Sequence, residues 1–183
     1  NKKKTYSLGA TGGLYEYKNL PSRIAFESQK YGNDAQQFNG PLNSKFTYPF
    51  KGWYGKAYGS FRLNSWIEPY ASYNVIKNQE APESFNDGRD IRLGSSFIME
   101  DYVFQIEYAQ FFAESDVVPG YYNSWAVGHT NREGNGVHLF LEFKKYNFRL
   151  RTYYYRADVI NPSGTQQDQG FYFVGLETAY DSI

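Results

Sequence analysis

Cysteine is absent from the 183-residue chain, so neither disulfides nor thiol chemistry contribute to its fold or function. Histidine occurs only twice, at His129 and His138, and two imidazoles do not make a metal site without further ligands. No excess of either charge sign exists, since Lys and Arg total 19 and Asp and Glu total 19, and this lack of basic excess excludes a nucleic-acid binder. There is also no apolar run of the ~20 residues that a spanning helix needs, so any membrane crossing is expected to use strands. No hydrophobic region follows Asn1-Lys2-Lys3-Lys4, as expected of a mature chain.

What the chain has instead is aromatic side chains, with Tyr 19 and Phe 15, alongside 21% charged residues. A chain rich in both must keep them on separate surfaces, and the two-residue alternation of a β-strand does so. The clearest case is Gly136 to Asp158. Val137, Leu139, Leu141 and Phe143 share one face, opposite His138, Phe140 and Glu142. After Lys144-Lys145-Tyr146-Asn147, Phe148, Leu150, Thr152 and Tyr154 oppose Arg149, Arg151, Tyr153 and Tyr155. The pattern predicts a long β-hairpin with one greasy and one charged face.

The same alternation predicts strands over Thr5–Lys18, Arg23–Tyr31, Lys45–Leu63, Trp66–Lys77, Ile91–Met99, Tyr102–Phe112 and Phe171–Tyr180, nine with the hairpin. Pro49 is expected at or before the start of regular pairing, because it cannot donate to a ladder. Polar, turn-rich stretches fall at Gly32–Ser44, Asn78–Asp90, Ala113–Asn135 and around Asn161-Pro162-Ser163-Gly164. The third of these carries a Tyr121-Tyr122 pair, and Asn86-Asp87-Gly88 in the second reads as a turn and not a calcium loop. Short connections thus alternate with long ones, so that the short ones gather at one end of the strands. Aromatics also collect near strand ends, at Tyr17, Trp53, Trp66, Tyr102, Tyr146, Phe148 and Tyr180, where an interfacial girdle places them.

Through these turns and segments such as Trp66-Ile67-Glu68-Pro69-Tyr70-Ala71-Ser72-Tyr73, the chain resembles the outer-membrane β-barrel proteins of Gram-negative bacteria as a broad class. The resemblance is one of pattern and spans nearly the whole length. It implies an all-β fold, an antiparallel up-and-down transmembrane barrel over residues 1–183, with the bilayer and its lipopolysaccharide as surroundings and no cofactor. Two features depart from the class. Nine strands is an odd number, and the chain stops at Asp181-Ser182-Ile183 without a terminal aromatic, so a missed strand, a missing segment or a partner chain is expected to complete the barrel.

In that arrangement the charged face lines the lumen. Its candidate residues for lining or solute binding are Lys56, Arg62, Arg92, Glu107, His138, Glu142, Arg149 and Arg151, accompanied by Arg23, Glu27, Glu68 and Glu177. Opposite charges at this density either pair across strands or line an aqueous path. Arg149 and Arg151, with Arg92 nearby, are candidates to meet a small anionic solute, unless Glu142 and Glu107 neutralise them. The expected function is non-enzymatic, either passage of small polar or anionic solutes or membrane anchoring with external binding loops. One alternative is an outer-membrane lipid-modifying enzyme that uses His138, oriented by Glu142, with a loop serine; His129 is the weaker histidine for that role. The other is a soluble lipocalin-like ligand-binding barrel with its greasy face inward.

Overall fold

The computed structural model describes residues 5–36, 43–119, 130–161 and 166–178. Tyr180, His129, the Tyr121-Tyr122 pair, Pro162 to Gly164 and the terminal Asp181-Ser182-Ile183 lie outside these residues. Eight long strands form one antiparallel sheet: β1 (Thr5–Tyr17), β4 (Phe50–Arg62), β5 (Ile67–Asn78), β6 (Asp87–Ile98), β7 (Tyr102–Ala113), β8 (Arg132–Phe143), β9 (Phe148–Val159) and β10 (Gln169–Thr178). They lie side by side in chain order, and the two-residue strands β2 (Ala35–Gln36) and β3 (Lys45–Phe46) make a separate small pair. The fold is therefore all-β, as the alternation predicts. Among the described residues no closed barrel is found; β1 and β10 form the two edges of the sheet.

The segment expected as a second strand is instead the helix α1 (Ser22–Ser28) followed by a 3₁₀ turn at Gln29–Tyr31. Arg23 and Glu27 consequently leave the strand face to which the alternation had assigned them. Pro21 precedes the helix with extended backbone, and Ala25 and Ser28, three apart, are its buried residues. A nine-residue segment offers too few repeats for alternation to exclude a single amphipathic turn. Without this segment the long strands number eight. The first connection becomes a long one, so four long connections lie at one end of the sheet and three short ones at the other.

Two of the three short turns have a local cause in an asparagine. Asn64 Oδ1 accepts from the backbone N–H groups of Trp66 (2.9 Å) and Ile67 (2.8 Å), while Asn147 takes φ 49° after a 3₁₀ turn at Lys144–Tyr146. Pro49 stands just before β4, as expected. Three strands begin earlier than the sequence suggests, β10 by two residues at Gln169 and the other two by more. β6 starts at Asp87, so Asp87 and Gly88 belong to a ladder and not to a turn. A Cβ at Gly88 would stand 2.8 Å from Ile76 and 3.2 Å from Val117, so this glycine permits close approach. β8 starts at Arg132, and Gly134 and Gly136 lie inside it.

Over β6 to β9 the oily face is the more exposed and the charged face the more covered, while on β4 Tyr54, Lys56 and Tyr58 of the charged face are also exposed. Leu93 is 54% exposed, Tyr108 45% and Tyr154 50%, whereas the Glu107 side chain on the other face is 14% exposed. The enclosed face carries a small core of Ala109, Phe111, Tyr153, Tyr155 and Ala157, with Phe173 packed against it. Long connections fold over its end. Asn78, fully buried, donates to the carbonyls of Pro49 (2.9 Å) and Asp116 (2.8 Å) and accepts from the N–H groups of Lys51 (3.2 Å) and Glu80 (3.1 Å). Tyr15 of β1 donates to the carbonyl of Val117 beyond β7 at 2.8 Å, and the N–H of Thr130 reaches the carbonyl of Tyr31 at 3.0 Å.

Candidate functional site

Strand register builds the site, because residues paired across successive strands form rows over the enclosed face. One row reads Ser7, Ser60, Tyr70, Gly94, Glu107, His138, Tyr153, Phe173. Gly94 has no side chain, and the Tyr70 ring lies across it so closely that a Cβ would stand 2.4 Å from the ring. From there the Tyr70 hydroxyl reaches over β6 to donate to Glu107 Oε2 at 3.2 Å. The neighbouring row reads Gly9, Tyr58, Ser72, Arg92, Ala109, Gly136, Tyr155, Phe171, and the next Thr11, Lys56, Asn74, Asp90, Phe111, Gly134, Ala157, Gln169.

Where these rows meet, the polar groups are joined. Arg92 Nε donates to Asp90 Oδ1 at 2.9 Å and its Nη1 to Glu107 Oε1 at 3.3 Å, while Asn74 also donates to Asp90 at 3.0 Å. His138 Nδ1 stands 3.2 Å from Glu107 Oε1, and its Nε2 bonds the Tyr155 hydroxyl. An ionised carboxylate only accepts, so Nδ1 carries a proton and donates to Glu107. This order, acid to imidazole to hydroxyl, is that of an oriented base. Tyr155 is only 2% exposed, however, and its hydroxyl is covered by the packing around it.

The carboxylate beside His138 is therefore Glu107, not Glu142. Glu142 holds Arg149 at 3.2 Å, Arg151 pairs with Glu177 at 3.4 Å, and Arg62 with Glu68 at 3.0 Å. Arg92 is not brought to Arg149 and Arg151. It shares a row with Tyr155, four residues along β9 from Arg151, and each of the three arginines has its own carboxylate. The neutralising arrangement is the one observed. Lys56 differs, since no carboxylate pairs with it among the described residues, and its Nζ stands 5.9 Å from the centre of the Tyr58 ring.

Lys56, Arg92 and Glu107 share a cavity of about 890 Å³ whose wall also includes Tyr54, Tyr58 and Tyr70. Sequence reasoning placed Tyr70 and Tyr155 on the charged face but gave them no role, and it left Asp90 in a loop. The alternation fixes the face of each, while their partners depend on register and on glycines that let rings cross a strand.

At the loop end Asp116 is fully buried. Its carboxylate accepts from Ser115 Oγ at 2.9 Å and from the N–H of Asp34 at 3.1 Å, with no cation on it among the described residues. Burial pushes its pKa up from 3.8 to about 6. Arg132 is 1% exposed, and its Nε and Nη1 have no hydrogen-bond partner among the described residues.

No protein-family model, no curated protein sequence and no solved structure matches the chain.

Proposed function

We propose that the sheet is the wall of an outer-membrane-type β-barrel that crosses a bilayer with its strands, and that its enclosed face binds and passes small polar solutes, anions by preference. One observation carries this reading: the outward face bears an uncharged band on every long strand while the charges turn inward. On β5 the band is Ile67, Pro69, Ala71, Tyr73 and Val75, ending at Lys77. Its eight residue steps extend about 27 Å along the strand and about 20 Å once tilted, near the ~25 Å apolar band of transmembrane barrels. Trp66 (48% exposed) and Tyr146 (70% exposed) stand at the short-turn end, where a headgroup girdle would place them.

Lipid forbids unpaired strand edges, so on this reading β1 and β10 are paired in the membrane, with each other or with further strands. Burial of the charged face and exposure of the oily one speak against a soluble barrel with a greasy interior. The lipid-modifying alternative gains little, because both nitrogens of His138 are engaged and Tyr155 is covered. Reconstitution into planar bilayers tests the proposal. Discrete conductance steps selective for anions are expected, with Lys56→Glu shifting selectivity toward cations. Failure to insert, or insertion without any conductance, would overturn the passage role.

A further inference from the structure

We infer that the cavity beside β4 is a subsite for an acidic saccharide, one whose sugar rings carry carboxylates. The inference rests on the solute-passing reading above and names the solute class. Tyr54, Lys56 and Tyr58 alternate onto the enclosed face of β4, so a cation stands between two aromatic rings. Cross-strand glycines set the attitude of those rings. Gly9 pairs with Tyr58 and Gly13 with Tyr54. A Cβ on Gly9 would stand 2.2 Å from Tyr58 Cζ, and one on Gly13 would stand 2.9 Å from the Tyr54 hydroxyl oxygen. Both rings therefore lie down across β1 and do not project into the cavity. Tyr54 is 45% exposed and Tyr58 44%, which leaves ring surface free to be covered.

Two flat rings four residues apart on a strand, about 13 Å between their backbones, form a platform for the C–H faces of successive sugar units. Hydrogen-bonding groups stand beside the platform. Thr11 and Asn74 flank Lys56 in its register row, and Ser60 and Ser72 line the same cavity. The charge balance selects among sugars. Arg92, Asp90 and Glu107 satisfy one another, which leaves Lys56 and Arg89 as the cavity cations without a carboxylate among the described residues; Arg89 lies over the Phe112 ring at 4.8 Å, and Lys56 alone of the two shares a strand face with Tyr54 and Tyr58. A neutral sugar would use the rings and leave Lys56 unmatched, and a simple anion would use Lys56 and leave the rings uncovered. Only a ring that bears a carboxylate uses both.

Calorimetry on the full chain folded in detergent micelles tests this without requiring conduction. The probes are trigalacturonate, the neutral galactose trisaccharide and acetate. Trigalacturonate is expected to bind at least about tenfold more tightly than either of the others. Lys56→Gln is expected to remove the preference over the neutral trisaccharide, and Lys56→Arg to restore it. Tyr58→Leu is expected to weaken both saccharides by about tenfold, in line with loss of a stacking contact. Far-UV circular dichroism checks that each variant is folded, and the exposed Lys56 pair keeps the test decisive should Tyr58→Leu not fold. Equal binding of the three probes by the folded protein, or a preference unchanged in Lys56→Gln, would overturn the inference. A chain that conducts but shows no such preference refutes the saccharide subsite alone, whereas one that binds trigalacturonate but never conducts refutes passage.

Discussion

Asp116 shows how a single residue ties the connections to the sheet. Its carboxyl is fully buried and accepts only from neutral donors among the described residues, so the fold favours the protonated form. A carboxyl raised from 3.8 to about 6 binds more protons folded than unfolded within that interval. Stability should therefore fall as pH rises from about 4 to about 6 and be independent of this group above that. Asp116→Asn should flatten the slope, as read from urea midpoints in a fixed detergent across that range. An unchanged slope would mean that the carboxyl is better solvated than its burial indicates. Neither Asp116 nor its partner segment around Asn33 and Asp34 could be singled out in the sequence, where both read as polar loop. Their meeting, with Asn33 Nδ2 donating to the carbonyls of Ser115 (2.6 Å) and Val118 (2.9 Å), depends on how loops from distant strands fold over one end.

Among the elements, the recurring device is a tyrosine laid over the glycine opposite it. It appears at Tyr58 on Gly9, Tyr54 on Gly13, Tyr70 on Gly94 and Tyr155 on Gly136, each a direct cross-strand pair. At Gly136 a Cβ would stand 2.2 Å from the Tyr155 ring and 2.6 Å from the Tyr154 carbonyl oxygen. The ring is buried and the carbonyl is backbone, so neither yields easily, and Gly136→Ala should cost about 1–3 kcal/mol as an overpacked site. Urea unfolding in detergent measures this; a loss below about 0.5 kcal/mol would show that the β8–β9 contact is looser than described. The hairpin itself was legible, because Val137, Leu139, Leu141 and Phe143 recur at every second position opposite His138 and Glu142, with Phe140 the one apolar residue on the charged face. Its glycines were not, since Gly88 and Gly134 punctuate a sequence equally well as turns. The helix at Ser22–Ser28 was missed for a related reason: Ile24, Phe26 and Ser28 alternate over too short a span to reveal that Ala25 and Ser28 are the pair turned inward.

For the whole molecule, the sequence showed which residues share a face and left open which face is enclosed, because alternation has no sign. The structure places the oily set outside, and that choice has an energetic consequence. If lipid surrounds the band, Ile106→Arg near its middle should destabilise the bilayer-folded protein by about 2–4 kcal/mol. Ile106 is 42% exposed, so in a water-surrounded sheet the same change should fall within about 0.5 kcal/mol. Unfolding titrations in lipid vesicles separate the two outcomes, and a near-zero cost there would argue against lipid contact.

The two ends of the sheet leave one further consequence. Eight strands alternate in direction, so β1 and β10 run opposite ways, and a copy set against β10 with its own β1 would continue the up-and-down order without a break. A wall made only of the eight described strands of this chain therefore comes in increments of eight, either one copy curling until its rims meet or several sharing a circumference. Because diameter follows strand number, the width of a barrel closed in this way would be a matter of stoichiometry.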